Sequence, residues 1–229
     1  MKKIGVIGAL NQEIEILKES MEIIKVEKKA KIEFITCVFN EKTIMLAKSG
    51  VGKVNAAICA QIIIDSFKPD YMINIGVAGA IHDALNIGDI VISKDLIMHD
   101  FNASPIIPDY KIPEKYTQAD GFLIKIANEA AETLGLSGNK THTGRIASGD
   151  CFINESDVKN KLWADFEAVC VEMEGAAIAQ ACWMNNVPFV VVRAVSDKAD
   201  EEAELSFDKF VNEASMNSGK MILEMIKRL

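Results

Sequence analysis

The chain has 229 residues, of which 49% are hydrophobic, and a formal net charge of −8 at pH 7. This length and apolar fraction suffice for one large core, and without a visible linker or repeat we expect a single domain over residues 1–229. The acidic balance argues against a nucleic-acid or anionic-membrane surface, and no apolar run approaches the roughly 20 residues of a membrane span.

The cysteines and histidines argue against a metal site. The histidines are scattered, no H-E-x-x-H motif occurs, and the cysteines form no C-x-x-C pair. Most of the cysteines lie among apolar neighbours, which predicts reduced thiols in the core and a cytoplasmic protein. They are Cys37, Cys59, Cys151, Cys170 and Cys182.

Apolar runs and helical spacings alternate along the chain. In chain order they predict a strand at 3–10, a helix at 11–25, a hairpin of strands at 31–38 and 43–48, a helix at 53–67, a strand at 71–75 ending in a Gly-rich turn at 76–79, a strand at 89–97, a long Pro-rich loop at 99–116, a helix at 122–134, a strand at 141–148, a strand at 168–171, a helix at 175–182, a strand at 187–195 and a helix at 207–227. This alternation predicts an α/β protein, a three-layer α/β/α sandwich around a mixed, twisted sheet.

Acidic residues follow two of the apolar runs. Glu172 and Glu174 come after residues 168–171, and Asp197 comes after residues 187–195, with a segment of small residues between the runs. The pattern predicts a βαβ unit with parallel strands, whose carboxyl ends face a ligand. Glu172 and Glu174 would point to one side, and because close carboxylates repel we expect one to be solvated. Arg193, inside the second run, needs an anionic partner or a polar cleft.

The glycine motifs exclude two nucleotide-binding families. Residues 50–53 (GVGK) resemble a phosphate loop, but Ala47 replaces the first glycine and Val54 replaces the Ser or Thr. Gly5-x-x-Gly8 and Gly76-x-x-Gly79 lack the third element of a dinucleotide fingerprint. They are either tight packing turns or turns whose N–H groups approach a small ligand.

Each remaining polar or aromatic residue has an ordinary structural explanation when taken alone. Glu13 could favour a helix dipole, and Asp197 could cap the next segment. Phe152, Met173 and Phe207 could each be core residues. Together, acids at several strand ends, without metal ligands or a nucleophile–His–acid arrangement, favour acid–base chemistry through water, such as cleavage of a glycosidic bond.

Several motifs then resemble one family in the same order from end to end. They are residues 4–13 (IGVIGALNQE), 48–54 (KSGVGKV), 74–79 (NIGVAG), 88–92 (GDIVI), 148–154 (SGDCFIN), 171–174 (VEME), 187–197 (VPFVVVRAVSD) and 205–210 (LSFDKF). The chain resembles the bacterial 5′-methylthioadenosine/S-adenosylhomocysteine nucleosidases, within the nucleoside phosphorylase superfamily. The resemblance implies a cofactor-free homodimer that hydrolyses adenine from thionucleosides, in methionine salvage.

The resemblance also implies catalytic roles. Asp197 would protonate adenine N7, Glu13 would activate the water that attacks the anomeric carbon, and Arg193 would lie near that water. To hold a proton near neutral pH, Asp197 needs a pKa raised by burial well above its usual value of about 3.9. Glu13 must stay ionised, so we expect it to be the better solvated or better hydrogen-bonded of the two acids.

The remaining implied contacts bind the substrate. Glu174 would bind the ribose hydroxyls, and Met173 would lie beneath the sugar. Phe152 would stack on the base, and the backbone of Ile153 would contact its edge. Phe207 would border the alkylthio pocket, which the loop at 101–113 would complete across the dimer. The other residues expected to bind substrate are Gly79, Glu172 and Ser196.

Two features depart from the family pattern. Val77 stands where the family usually carries a serine, which removes one polar contact to the water or sugar. The Pro-rich loop contains Ile106, Ile107 and Pro108 where an aromatic residue is expected. These departures bear on rate and substrate preference and leave the acids intact.

Three alternatives stay open. A phosphorylase would need more than one cation or an array of donors for phosphate; Arg193 is near the expected site, whereas Lys48, Lys53 and Arg145 have no assigned position. A hydrolase of a related nucleoside such as aminodeoxyfutalosine would differ only in substrate. A nucleoside-binding module without catalysis is disfavoured, because binding alone does not require a proton donor facing a base.

Overall fold

The computed structural model describes residues 1–101, 117–136 and 140–229. Most of the predicted Pro-rich loop therefore lies outside the described residues. The elements within them are, in chain order, β1 (Lys3–Gly8), α1 (Asn11–Ser20), β2 (Glu22–Lys29), β3 (Ile32–Phe39), β4 (Lys42–Lys48), α2 (Lys53–Phe67), β5 (Tyr71–Ala80), β6 (Ile90–Met98), β7 (Thr117–Gln118), α3 (Gly121–Thr133), β8 (Thr141–Ser148), α4 (Ser156–Phe166), β9 (Ala168–Glu172), α5 (Gly175–Met184), β10 (Phe189–Asp197) and α6 (Ala203–Arg228).

The strands form a mixed sheet in the order β10-β6-β8-β9-β5-β1-β4-β3-β2, with β7 paired to β6. β10 also pairs with β5, so β10, β6, β8, β9 and β5 close into a ring, from which β1, β4, β3 and β2 extend. The strands β4, β1, β5 and β10 run parallel to one another. The strands β6, β8 and β9 are mutually parallel and run the opposite way.

Helices cover both faces of the sheet, as the predicted three-layer fold requires. One apolar cluster joins α2 and α5 to the sheet, and a second joins α1, α3 and α6 to its other face. β10 contributes side chains to both clusters, because Val190 and Val192 belong to one and Val191 and Val195 belong to the other. A strand covered on both faces reads as a continuous apolar run, which made β10 visible in the sequence. None of the helices in the described ranges is long and apolar enough to cross a membrane.

The first helix is shorter than predicted. It ends at Ser20, and residues 22–25, expected to be helical, instead begin β2, which pairs antiparallel with β3. Ile23, Ile24 and Val26 are β-branched, and pairing along β3 settles their conformation. The hairpin predicted from the following segments is confirmed as β3 and β4, which are antiparallel neighbours.

The predicted βαβ unit around α5 is wrong. β9 is antiparallel to β5, whereas β10 is parallel to β5, so β9 and β10 run in opposite directions. The strands are not sequential neighbours in a simple open sheet, because the ring inserts β5 between them on one side and β8 and β6 on the other. Pairing with strands from distant parts of the chain, which local spacing does not reveal, sets the direction of β9.

Two further predictions differ from the structure. The Gly-rich segment at 76–79 is part of β5 and not a turn, because β10 and β9 supply ladder partners along it. Helix α4 was not predicted from its sequence. Leu162 is its only buried residue, so the apolar stripe that usually marks a helix is almost missing there.

Candidate active site

The topology brings the ends of oppositely directed strands to one place. The end of β5 pairs with the end of β9, with Gly79 opposite Val171. β10 runs beside β5 and ends at Asp197, and β1 leads through a short turn to Glu13 at the start of α1. The predicted acids therefore converge at the carboxyl ends of β1, β5, β9 and β10, where ligands of α/β proteins usually bind.

Glu13 lies at the third position of α1 and is 3% exposed. Its Oε2 accepts hydrogen bonds from the N–H groups of Ala9 (2.5 Å) and Leu10 (2.9 Å), and its Oε1 accepts one from Val77 (3.2 Å). Burial raises the pKa of Glu13, against the opposing effects of the Arg193 guanidinium and these N–H donors. The carboxyl is thus well hydrogen-bonded, as expected, but it is not well solvated.

Arg193 is buried at 1% exposure and pairs with Glu172. Its Nη2 donates to Glu172 Oε2 and to Asn74 Oδ1 (2.5 Å). Burial alone would lower the pKa of Arg193, but the Glu172, Glu13 and Glu174 carboxylates raise it and keep the guanidinium charged. Within the described residues, its buried Nε and Nη1 find no hydrogen-bond partner. Such donors indicate a place for a polar ligand or water.

Glu172 and Glu174 are both buried, so the expectation that one of them is solvated is wrong. Glu172 ends β9 and accepts the N–H groups of Glu174 (3.0 Å) and Gly175 (2.8 Å), besides the Arg193 guanidinium. Glu174 Oε1 accepts the N–H of Gly52 (2.8 Å). Burial, followed by the neighbouring Glu172, raises the pKa of Glu174 to about 8. Arg193 and a raised pKa together relieve the expected repulsion.

Gly76 separates the guanidinium from the carboxyl of Glu13. A Cβ at this position would lie 2.5 Å from Arg193 Nη1 and 2.7 Å from Glu13 Oε1. Only glycine leaves room for both groups against the strand. The unpartnered Nη1 donor and the Glu13 acceptor therefore both lie close to the same residue of β5.

Asp197 forms a second centre farther along β5. The register shifts between Val195 and Asp197, a bulge that brings Asp197 opposite Gly79, where a Cβ would lie 2.6 Å from Asp197 Oδ1. The carboxyl accepts the hydroxyl of Ser196 (2.8 Å) and the N–H of Ala199 (2.9 Å). Burial raises the pKa of Asp197, against the opposing effects of these two donors.

The two centres are separated by a short length of β5. Gly76 contacts the first and Gly79 the second, which corresponds to about 10 Å of strand at 3.3 Å per residue. The structure thus brings together Glu13, Glu172, Glu174 and Arg193 at one end, and Gly79, Ser196 and Asp197 at the other.

Aromatic side chains stand at the surface beside the Asp197 centre. Phe152 and Phe207 meet edge to face, with ring centroids 5.8 Å apart. Ile153 is buried in the same apolar cluster as Ala199, two residues after Asp197. Met173, which lies between Glu172 and Glu174 in the sequence, is half-buried. The aromatic pair, Ile153 and Asp197 therefore lie on one side of the site.

Three contributors were not predicted from the sequence. Asn74 accepts from Arg193, the Gly52 N–H binds Glu174, and the Ser148 hydroxyl donates to Glu172. Asn74 carried a visible signal, because it is a polar residue inside the apolar strand YMINI. Within the described ranges, no group of three or more His, Cys, Asp or Glu side chains is arranged to hold a metal ion.

The comparisons with known proteins agree with this geometry. The model of the phosphorylase superfamily matches residues 3–227. A protein of Bacillus velezensis named 5′-methylthioadenosine/S-adenosylhomocysteine nucleosidase is 43% identical over 235 residues, covering 99% of each chain. This chain belongs to that nucleosidase family. The family inferred from the sequence motifs is confirmed.

Solved structures of the nucleosidase family and of a related hydrolase share the fold. The nucleosidase of Neisseria meningitidis, solved in complex with methylthio-immucillin-A, has a TM-score of 0.95 and 40% identity over the whole of both chains. Futalosine hydrolase of Helicobacter pylori has a TM-score of 0.93 and 33% identity, covering all of this chain and 98% of that one. The nucleosidase fold therefore accommodates hydrolysis of more than one nucleoside.

Proposed function

We propose that this chain hydrolyses the N-glycosidic bond of 5′-methylthioadenosine and S-adenosylhomocysteine, releasing adenine and the thioribose. One observation carries the proposal: two buried acids, Glu13 and Asp197, stand at opposite ends of a strip of β5 about 10 Å long, held against Gly76 and Gly79. That span suits one acid at the base and one at the far side of the sugar. The nucleosidase named in Bacillus velezensis and the inhibitor-bound Neisseria structure support this substrate class.

Asp197 is the general acid of the proposed mechanism. As the bond between the anomeric carbon and N9 breaks, adenine keeps the bonding electrons and N7 takes the proton of Asp197. The raised pKa of Asp197 keeps that proton in place before reaction. The nearby Ser196 hydroxyl and Ala199 N–H then stabilise the carboxylate that remains. Phe152, Ile153 and Phe207 border the base and the alkylthio group.

Glu13 is the base that acts on water. The water binds between Glu13 Oε1 and Arg193 Nη1, beside Gly76, and attacks the anomeric carbon while Glu13 accepts its proton. The N–H groups of Ala9, Leu10 and Val77 and the charge of Arg193 favour the ionised form that this role needs. Proton exchange with solvent then restores both acids for the next turnover.

The remaining carboxylates bind the sugar. Glu174 accepts hydrogen bonds from the ribose hydroxyls above Met173, and Glu172 fixes Arg193 and the backbone of residues 174–175. No step of this mechanism uses a cofactor or a metal.

Phosphorolysis fits the site less well than hydrolysis. Two of the cations left unassigned by the sequence are already paired with acids of the chain: Arg145 binds Asp95 and the carbonyl of Phe166, and Lys53 binds Asp100 and Asp150. Lys48 is exposed at the end of β4. The water position is surrounded by acids, which would repel phosphate.

Product analysis distinguishes the two reactions. We expect purified protein to release adenine and free methylthioribose from 5′-methylthioadenosine at the same rate with and without phosphate. Formation of methylthioribose 1-phosphate, or a requirement for phosphate, would establish a phosphorylase instead.

Hydrolysis of a futalosine-type nucleoside is the second candidate, favoured by the likeness to futalosine hydrolase of Helicobacter pylori. The acids would act in the same way, and only the group at the 5′ position would differ. A panel of methylthioadenosine, adenosylhomocysteine and aminodeoxyfutalosine compares kcat/KM directly. We expect the two thionucleosides to be preferred.

A homodimer is part of the proposal, supported by an exposed apolar face next to the site. Helices α2 and α5 lie side by side, joined by Gly52–Glu174 at their starts and by Gln61–Asn185 near the end of α5. On these two helices and the turn before α2, Val54 is 70% exposed and Trp183 is 50% exposed. Val51, Ile58 and Met184 are exposed as well. Such a patch beside a binding site is typical of a subunit interface.

The proposal also covers the domain organisation, the location and the metabolic role of the chain. Residues 1–229 act as one nucleosidase domain, because one hydrogen-bonded sheet connects the described strands. The free state of the cysteines supports a cytoplasmic location. There the reaction would serve methionine salvage, since it removes adenine from nucleosides that carry a methionine-derived sulfur.

A further inference from the structure

A second charged cluster lies beside the acids of the proposed active site. In this Lys53 cluster, made of Lys53, Asp100 and Asp150, the Lys53 ammonium contacts Asp100 Oδ1 and lies 3.5 Å from Asp150 Oδ2. The Lys53 side chain is only 16% exposed. Two backbone donors complete the cluster: Lys53 N–H donates to Asp150 Oδ1 (2.8 Å), and Asp150 N–H donates to Asp100 Oδ2 (2.9 Å).

The cluster joins three elements that border the substrate site. Lys53 is the first residue of α2, Asp100 follows β6, and Asp150 follows β8. Phe152 and Ile153 come two and three residues after Asp150, on the base side of the site. On the other side, Gly52 precedes Lys53 and donates its N–H to Glu174 (2.8 Å). The cluster therefore lies between the groups for the base and the group for the ribose.

Helix α2 depends on this cluster for its start. Its N-cap is Gly52, which has no side chain to accept a hydrogen bond, and its first turn contains no acidic residue. Asp150 supplies the missing acceptor and negative charge from another part of the chain. Burial alone would raise the pKa of Asp100, but the Lys53 ammonium and the Asp150 N–H hold it below its ordinary value, so the carboxylate remains charged.

We propose that Lys53 is a positioning residue for nucleoside binding. Through Asp150 it holds the segment that carries Phe152 and Ile153, and through the start of α2 it holds the Gly52 N–H against Glu174. The inference rests on the proposed function, which assigns the nucleoside to these residues. Without the ammonium, the Asp100 and Asp150 carboxylates repel each other and the segment after Asp150 is released.

Removing the charge of Lys53 should raise KM for the nucleoside more than it lowers kcat. Phe152 and Glu174 contact parts of the nucleoside that change little during the reaction, so their displacement removes ground-state and transition-state binding alike. For Lys53→Met we expect KM for 5′-methylthioadenosine to rise about tenfold, with kcat changed less than about threefold. A tenfold change lies between the cost of breaking an exposed ion pair and that of breaking a buried one. Lys53→Arg, which restores the charge, should return KM close to the wild-type value.

Salt and hydrogen exchange separate positioning from general stability. The nucleoside is uncharged, so a rise in wild-type KM between about 0.05 and 1 M NaCl would report screening of the cluster. Lys53→Met should lose this dependence and should exchange the amides of residues 150–153 faster than the wild type. Lys48→Met, which removes an exposed lysine five residues earlier, is the matched control and should behave as wild type.

Each outcome bears on the proposal. A lower melting temperature in Lys53→Met with wild-type KM, salt dependence and exchange would overturn it, leaving Lys53 a purely structural residue. If Lys53→Met does not fold, Asp150→Asn, which removes the charge through which Lys53 holds the segment after Asp150, should raise KM in the same direction, and an unchanged KM would contradict us. If wild-type protein releases no adenine, the proposed function fails, while unchanged exchange at 150–153 in the variant still overturns the positioning role.

Discussion

Two glycines on β5 stand directly against the acids of the site. A Cβ on Gly76 would lie within 2.7 Å of both Arg193 Nη1 and Glu13 Oε1, and a Cβ on Gly79 would lie 2.6 Å from Asp197 Oδ1. Neither glycine is needed for a positive φ angle, since both lie within a regular strand. Their role is to leave room for the side chains of the proposed catalytic groups, which approach the backbone closely.

Gly76→Ala should therefore impair catalysis more than folding. The added methyl displaces the guanidinium and the carboxyl from the position of the attacking water, and displacements of about 1 Å can cost roughly 100-fold in rate. We expect kcat/KM for 5′-methylthioadenosine to fall by about that factor. Gly121→Ala is the matched control, because a Cβ there meets nothing within 4 Å. Equal activity of the two variants would show that Gly76 does not border the reacting groups.

Glu174 should make the stability of the ligand-free protein depend on pH. Its pKa is raised from 4.5 to about 8 in the folded protein, so the folded state binds the extra proton between these values. The contribution of Glu174 to the free energy of unfolding therefore falls as pH rises from 4.5 towards 8, by at most about 1.4 kcal/mol per pH unit. In the proposed complex, hydrogen bonds from the ribose hydroxyls would offset this cost.

Glu174→Gln removes the ionisation and tests this directly. At pH 8 the variant should melt above the wild type, by about 2 to 4 °C for each kcal/mol that the ionised carboxyl costs in a chain of this size, and the difference should vanish near pH 4.5. Its activity should fall because the amide replaces one of the two carboxyl oxygens that accept from the ribose hydroxyls in the proposed complex. Glu22→Gln, at an exposed carboxyl of β2, should leave the melting temperature unchanged at both pH values. A pH-independent difference would contradict the assignment.

At the scale of elements, much of the fold could be predicted from local patterns. β10 was visible because both of its faces are buried, and the β3–β4 hairpin because its strands are close in sequence. The direction of β9 was not predictable in this way, since its partner β5 lies far away in the chain. The start of β2 was missed although β2 and β3 are close in sequence, because residues 22–25 were expected to continue the helix before them. α4 was missed because it buries one residue.

For the candidate site, too, local patterns predicted some residues and missed the contacts between distant segments. Glu13, Asp197 and the Glu172–Glu174 pair follow apolar runs, so their positions at strand ends could be anticipated. The contacts from Gly52 and Ser148 join segments 122 and 24 residues apart, and no local spacing reveals them. The burial of both Glu172 and Glu174 depends on Arg193, whose pairing the sequence suggested only as a requirement for some anion.

The exposed face of α2 and α5 supports a prediction about assembly. Val54→Glu places a charge within the proposed interface, where desolvating it would cost more than the contact provides. We expect the wild type to sediment as a dimer and this variant to sediment as a monomer with reduced activity. Val26→Glu, at a 55% exposed position on β2, is the control and should stay dimeric. A monomeric wild type would contradict the proposed homodimer.

At the scale of the whole molecule, the sheet topology explains why acids from distant segments meet. The closed ring places the end of β9 against the end of β5, beside β10 and β1, so Glu13, Glu172 and Asp197 converge although they are far apart in the chain. Burial raises the pKa values of both Glu13 and Asp197, and the donors around each acid oppose that shift. Glu13 has the guanidinium of Arg193 in addition. We therefore assign Glu13 as the base and Asp197 as the acid.

This assignment predicts a bell-shaped dependence of kcat/KM on pH. On the acidic side the rate falls as Glu13 is protonated, and on the alkaline side it falls as Asp197 loses its proton. Both limbs should lie above the usual range of exposed carboxyl groups, because burial raises both pKa values. A profile that is flat from acidic to neutral pH would contradict the division of roles.

The most direct measurement compares turnover and affinity in Asp197→Asn. The amide keeps the size of the side chain but holds no transferable acidic proton. We predict that adenine release from 5′-methylthioadenosine falls by about 100- to 10,000-fold, the usual contribution of a general acid, while the dissociation constant of the nucleoside stays within about threefold. Retained turnover, or an equal loss of turnover and affinity, would contradict the claim that Asp197 donates the proton to the leaving base.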